Sequence, residues 1–185
     1  DLITPVSAFL RLGGPARESF LFESVEGGER VARYSFLGCD PFLTVTAAAG
    51  RVTVEDRRGH AAPVVEATAD PRPLLEALLR RYHAARVPGL PRLTGGAVGF
   101  FAYDAVRWVE RLPEPRRDDA GHEEMVLRFY DTLLAFDHAR RRLVVIANAH
   151  VTPDADDAAL RAAWDEAQAR ITGQLRALRE PGPAE

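Results

Sequence analysis

A chain of 185 residues with 46% hydrophobic and 28% charged side chains can bury one good core or form part of a larger fold, and its formal charge of -3 gives it no reason to seek nucleic acid. The densest basic runs, Arg116-Arg117 and Arg140-Arg141-Arg142, are flanked by Asp118, Asp119 and Asp137 and read as solvated turns. A single cysteine, Cys39, excludes an internal disulfide and fits a reducing cytoplasm, while the longest apolar run is too short to cross a bilayer and no signal sequence opens the chain.

Thr4-Pro5 sets a capping hydroxyl ahead of a proline suited to the first helical position, so a short helix is predicted over 5–12, ended by Gly13-Gly14. Residues 19–25 then alternate as a strand, with Phe20, Phe22 and Ser24 on one face and Leu21, Glu23 and Val25 on the other. A turn at Glu26-Gly27-Gly28-Glu29 leads into a second strand over 31–37. A two-residue Gly-Gly turn would set Glu26 directly opposite Glu29, so the register of this hairpin is left open. Asp40-Pro41 turns the chain again, and 42–48 pairs with 51–55 across Gly50, an assignment carried by the β-branched residues Thr44, Val45, Thr46, Val52, Thr53 and Val54. Val64-Val65 reads as a short edge strand, and Asp70-Pro71 caps a helix with Leu74, Leu75, Leu78, Leu79 and Tyr82 along one face.

From Ala97 to Tyr103 no side chain is charged and the apolar residues run on without alternating, the pattern of a central strand covered on both faces. Asp104 is placed as a helix N-cap after it, with Pro113 as the stop. A polar loop over 112–123 precedes an extended segment over 124–136, a turn at Asp137-His138-Ala139-Arg140 and a strand over 143–149. Asp154 opens a last helix with Leu160, Trp164, Ala167, Ile171, Leu175 and Leu178 in one stripe. The sum is an α+β fold of mainly antiparallel sheets with outer helices, without βαβ repeats.

Catalytic constellations are missing from this pattern. The glycines at 95, 96 and 99 fit neither phosphate-loop spacing, and all 24 basic residues are arginine, which removes the P-loop lysine, the Schiff-base lysine and the Ser-Lys pair together. No serine lies in a nucleophile elbow, Cys39 has no local thiol-nucleophile signature, and His122-Glu123-Glu124 reads as solvated loop rather than metal ligands. There remains Phe22-Glu23-Ser24: an apolar side chain, a carboxylate and a hydroxyl at one strand end, as a small amphipathic ligand such as an α-amino acid requires. Alternation points Ser24 inward and leaves Glu23 to act through its backbone or to pair with Arg30 or Arg33.

Five stretches, in order, resemble a known family: Asp1-Leu2-Ile3-Thr4-Pro5-Val6, Leu21-Phe22-Glu23-Ser24-Val25-Glu26-Gly27-Gly28-Glu29-Arg30, Arg33-Tyr34-Ser35-Phe36-Leu37-Gly38, Thr94-Gly95-Gly96-Ala97-Val98-Gly99-Phe100-Phe101-Ala102-Tyr103-Asp104 and Tyr130-Asp131-Thr132-Leu133-Leu134-Ala135-Phe136-Asp137-His138. Together they are similar to the N-terminal region of anthranilate synthase component I, a lyase that makes anthranilate and pyruvate from chorismate and ammonia or glutamine, with magnesium, in tryptophan biosynthesis. The resemblance implies that residues 1–185 form an N-terminal region of a layered α/β/β/α fold, packed on a C-terminal chorismate-binding region that holds the catalytic and Mg2+ residues and is absent from this sequence. It also implies a glutamine amidotransferase subunit as partner, a cytoplasmic enzyme, and L-tryptophan as feedback inhibitor. The allosteric site would use Phe22, Glu23 and Ser24, with Tyr34 near a polar contact on the next strand; Phe22 stands where the family usually has leucine. The large subunit of aminodeoxychorismate synthase shares the Gly-Gly and Tyr-Asp motifs, but Glu23-Ser24-Val25-Glu26-Gly27-Gly28-Glu29-Arg30 followed by Arg33-Tyr34-Ser35-Phe36 favours anthranilate synthase. A stand-alone, non-catalytic amino-acid-binding module is the alternative of a different class.

Overall fold

The computed structural model describes residues 3–23, 33–59, 61–113 and 122–180; Ser24, Arg30, the expected turn at 26–29 and the polar run 114–121 lie outside the described residues. In chain order the elements are α1 (Pro5–Arg11), β1 (Phe20–Phe22), β2 (Tyr34–Gly38), β3 (Leu43–Ala48), β4 (Arg51–Asp56), β5 (Val64–Ala67) and α2 (Arg72–Arg81). They continue with β6 (Gly96–Phe101), β7 (Met125–Tyr130), β8 (Thr132–Asp137), β9 (Arg142–Ala147) and α3 (Asp157–Arg179). Two compact units interleave along the sequence, one of Asp1–Pro41, Ala84–Gly95 and Tyr130–Glu185, the other of Phe42–His83 and Gly96–Phe129. Each contains one antiparallel sheet, which makes the fold α+β.

In the first unit the strands lie in the order β1-β2-β8-β9. Thr4 and Ser7 close a reciprocal capping box at the start of α1, each side chain accepting the other's backbone N–H at 3.1 and 2.9 Å. The helix then buries Ala8 and Leu12 against Leu37 of β2, Leu134 and Phe136 of β8 and Leu178 of α3. Each enclosed leucine contributes roughly 1.5–3 kcal/mol of gross hydrophobic stabilisation. Arg11 ties the two helices, donating from Nη1 to the carbonyl of Leu178 at 2.6 Å.

Phe22 faces Phe36 across the β1–β2 ladder, the register that the sequence leaves open. The expectations for the last helix are corrected. In α3, Asp156 rather than Asp154 caps the helix, accepting from the Ala159 N–H at 2.8 Å, and only Ala167 and Leu178 of the predicted stripe are buried. Leu160, Trp164 and Leu175 stay exposed. Ala163, Arg170 and Gln174 are half-buried instead, so the face that packs is rotated about the helix axis from the predicted stripe.

The second unit has the order β5-β4-β3-β7-β6. The predicted β3–β4 hairpin forms with Val45 opposite Val54, and its turn places Ala49 and Gly50 at φ of 48° and 70°. Alternate residues of β3, β4 and β7 build a core of Leu43, Val45, Ala47, Val52, Met125, Leu127 and Phe129, closed by Leu74, Leu75, Leu78 and Tyr82 of α2. Phe42, Tyr82 and Phe129 meet there edge to face or tilted, with centroids 4.9 to 6.2 Å apart. Leu79, expected on the same helical face, lies outside it and is exposed. Asp70 sits one residue ahead of the N-cap position, which Pro71 occupies, and still accepts the Arg72 N–H at 3.0 Å.

The largest correction concerns β6. Its uncharged run reads as a central strand, yet among the described residues β6 is an edge strand paired with β7 alone, and Phe100 and Phe101 stand 50% and 54% exposed. Asp104 is not a cap either: the 3-10 segment Tyr103–Trp108 is capped at Ala102, and Asp104 accepts from Arg107 within its own turn. Likewise the extended run 124–136 is two strands, β7 and β8, which belong to different sheets. Among the described residues no helix is long and apolar enough to cross a membrane.

Gly99 fixes how closely β6 lies on β7, because a Cβ there would sit 1.8 Å from the carbonyl oxygen of Val126, a backbone atom that cannot swing aside. Gly99→Ala is expected to lower stability by roughly 3 kcal/mol, the upper end of ordinary overpacking costs, read as a fall in the urea midpoint at unchanged slope.

Candidate functional site

Of the residues singled out for ligand binding, Phe22 and Tyr34 lie on one face of the first unit's sheet. Phe20 and Phe22 point to the same side of β1; Phe22 pairs with Phe36, and Tyr34 lies two residues from Phe36 on β2 and opposite Asp137 of β8. These alternations gather a row of aromatic rings, with Phe20 and Phe22 4.9 Å apart, Tyr34 and Phe36 5.7 Å apart, and Phe20 edge-on to Tyr130 at 4.9 Å. The Tyr130 hydroxyl donates to the Glu18 carbonyl at 2.6 Å, which anchors the start of β1. Phe22 keeps 51% of its surface in solvent at the end of this row, a half-open apolar shelf.

A charged clamp stands beside the shelf. Arg33 donates through Nε and Nη2 to the two carboxylate oxygens of Asp137 at 3.0 and 2.9 Å, and its guanidinium lies 4.8 Å above the Tyr34 ring. Asp137 is enclosed and also accepts the Arg140 N–H at 3.2 Å, with Arg142 Nε 3.5 Å from its second oxygen. The hydrogen bonds from Arg33 are the main reason its carboxyl is held down to about 2; burial opposes them, and the Arg140 N–H with the charges of Arg33 and Arg142 add to the lowering. On the opposite face of β2, buried Ser35 has its Oγ 2.8 Å from Nε2 of His138.

The structure thus brings Phe22 and Tyr34 to one face. Glu23 follows the last residue of β1, is exposed, and does not take Arg33, which belongs to Asp137; that expectation is corrected by the bidentate pair. Ser24 and Arg30 lie outside the described residues. Asp137 was missed as a site residue because Phe136-Asp137-His138 reads as the entry to a turn, and only the β2–β8 register puts it across from Tyr34. A second polar centre also escaped the sequence: buried Asp131, with His150 Nε2 2.6 Å and Arg170 Nη2 3.7 Å from its Oδ2. Nothing in sequence spacing links positions 131, 150 and 170. Among the described residues no three His, Cys, Asp or Glu side chains converge as a metal ion would need.

No family model matches the chain. Curated relatives do. The chain is 38% identical over 165 residues to anthranilate synthase component 1 of Acetivibrio thermocellus, an alignment covering 88% of this chain and 32% of that protein. It is 37% identical to the protein of the same name from Mycolicibacterium smegmatis over 98% of this chain and 34% of the relative, and 35% identical to that from Synechocystis sp. over 100% and 36%. The chain belongs to the anthranilate synthase component I family. It spans about a third of the length of these relatives. The crystal structure of anthranilate synthase component I from Streptococcus pneumoniae TIGR4 has the same fold over 99% of this chain and 36% of its own, with a TM-score of 0.61 at 23% identity.

Within this chain the Asp137 clamp makes stability depend on acid. A carboxyl whose folded pKa is depressed stabilises the fold fully above its unfolded value of about 3.9 and loses that contribution as pH falls. Urea midpoints measured against pH are therefore expected to drop between the unfolded value and about 2, the folded one. Asp137→Asn should flatten that part of the curve and lower the midpoint at neutral pH.

Proposed function

We propose that this chain is the N-terminal, structural and regulatory part of an anthranilate synthase component I, whose full length converts chorismate with ammonia or glutamine to anthranilate and pyruvate in tryptophan biosynthesis. The observation that carries the reading is coverage: relatives of that name match 88 to 100% of this chain with only 32 to 36% of their own length. Residues 1–185 are then one region of a larger protein, and chorismate is bound and cleaved on the C-terminal region. Magnesium belongs to that region too; when bound it supplies positive charge against the carboxylates of chorismate. The described residues here lack a carboxylate cluster fit for it. The ammonia comes from a glutamine amidotransferase subunit, and the complex works in the cytoplasm.

The regulatory part of the proposal is a feedback site for L-tryptophan at Phe22, Glu23 and Ser24, with Tyr34 on the neighbouring strand. Supporting it is the match between ligand and surface. An indole needs a flat apolar partner, which Phe22 with Phe36 and Tyr34 offers, and an ammonium needs an acceptor, which exposed Glu23 offers at the shelf's end. A shelf braced by the Arg33–Asp137 pair costs little ordering on binding. Inhibition results if tryptophan binds one arrangement of the two regions better than the other, since a ligand shifts an equilibrium only by that difference.

Two measurements test this. In the full-length enzyme Ser24→Arg or Ser24→Phe is expected to relieve tryptophan inhibition while uninhibited turnover stays largely intact; unchanged inhibition removes Ser24 from the site. The isolated 185-residue chain should form no anthranilate from chorismate, ammonia and Mg2+, and turnover by it would place catalysis here. Aminodeoxychorismate as the product of the full-length protein would instead assign it to the related synthase.

A further inference from the structure

We infer that the free edge of β6 receives a β-strand from the polypeptide that makes up the rest of the chain in the longer relatives, so that Gly96–Phe101 becomes an interior strand of an extended sheet. The inference rests on the reading of this chain as part of an anthranilate synthase component I. It starts from a mismatch between pattern and position. A run without charge and without alternation is the pattern of a strand covered on both sides, and from Gly95 to Tyr103 this chain has such a run. Its position is the opposite: among the described residues β6 is hydrogen-bonded to β7 on one side only.

Both faces of the strand are bare at its C-terminal end. Ala97, Gly99 and Phe101 share one face, where Ala97 packs on the core and Phe101 lies edge-on to Trp108 at 6.2 Å, yet Phe101 stays 54% exposed. Phe100, on the other face, is 50% exposed, and Tyr103 just beyond the strand is 90% exposed. The strand is held firmly on its paired side, since Gly99 lets the Val126 carbonyl come closer than any side chain would permit. The open side is a rigid row of backbone donors and acceptors flanked by aromatic surface.

Folded proteins shield a sheet edge with charge, proline, a bulge or a short strand. The other edge of this same sheet has such protection: β5 is four residues long, contains Glu66 and follows Pro63. β6 is six residues long and has neither charge nor proline. An edge left this apolar is built for permanent occupation. The occupant favoured by the observations is covalently attached chain, because relatives that align with 88 to 100% of this sequence have about twice as much again beyond it. Its chemistry is set by the edge: an extended segment with apolar side chains on both faces, to cover Phe100 and Phe101 together.

The test is amide-resolved hydrogen exchange on the full-length enzyme, with anthranilate formation assayed on the same sample and β5 as the internal standard of an exposed edge. Alternate amides of an edge strand point outward and exchange readily, so strand addition predicts that all amides of β6 exchange about 100-fold more slowly than the outward amides of β5. If anthranilate is made while alternate β6 amides exchange as fast as those of β5, the strand inference is overturned and the functional reading stands. Protection of β6 that disappears on dilution, together with a shift from dimer to monomer, assigns the edge to a second copy and also overturns it. Absence of anthranilate with β6 protected would sink the functional reading and leave the occupied edge in place.

Discussion

A carboxylate almost sealed from water, that of Asp131, sits between the two strands of a segment that reads as one extended run. Its oxygens must be satisfied by protein, and the partners come from every side of the first unit. His150 approaches Oδ2 through Nε2 at 2.6 Å. The Thr132 hydroxyl donates to Oδ1 at 3.1 Å, and Arg170 of α3 lies 3.7 Å from Oδ2 while donating to the Asn148 carbonyl at 2.7 Å. Asn148 in turn donates from Nδ2 to the carbonyls of Thr94 and Asp131 at 2.6 and 3.2 Å. This network links the end of β9, the start of β8, the middle of α3 and, through Asn148, the loop that leads into β6. A network of this kind adds less to net stability than its bonds suggest, but it penalises every alternative in which a member lacks its partner.

The place of that network in the chain explains its importance. The sequence passes between the compact units at Pro41–Phe42, His83–Ala84, Gly95–Gly96 and Phe129–Tyr130, and the last two passages start from this centre. A side chain at position 95 would lie 2.7 Å from the Asn148 amide nitrogen and 3.0 Å from the Tyr130 carbonyl oxygen, so a glycine is needed for the two passages to approach there. Hydrophobic patterning could not reveal this. From residue 124 to 136 the run is apolar enough to read as one strand, and the buried aspartate at its break is the single sign that the chain changes sheets.

Local physics was legible wherever local residues decide. The cap at Thr4, the β-branched hairpin of β3 and β4 and the face of α2 made by Leu74, Leu75 and Leu78 each rest on neighbours within a few positions, and each formed as the pattern indicates, Leu79 alone falling outside that face. The candidate ligand site was half legible. Alternation along β1 gave the common face of Phe20 and Phe22, and Tyr34 joins that face, while the Arg33–Asp137 clamp depends on residues 104 positions apart that only the β2–β8 register brings together. Leu160, Trp164 and Leu175 show the complementary error: the helical period is right, but the face that packs is turned toward Ala163, Arg170 and Gln174, where Arg170 reaches Asp131 and the Asn148 carbonyl, contacts that an apolar stripe cannot reveal.

The exposed positions have a common logic on the proposed reading of the chain. Where the first unit's sheet is open, it is open at a shelf of aromatic rings with an ion pair locked beside it, a surface that can take a ligand and release it because half of Phe22 still faces water. Where the second unit's sheet is open, it is open along an uncharged strand with nothing to moderate its attraction for another strand. These are different kinds of opening. A regulated site needs reversible occupation, so its free energy must lie within a few kcal/mol of balance between arrangements. A structural seam needs permanent occupation, and an apolar edge of six residues with two half-exposed phenylalanines meets that need. The two openings thus call for different occupants: a small ligand that comes and goes at the aromatic shelf, and a strand that stays at the uncharged edge.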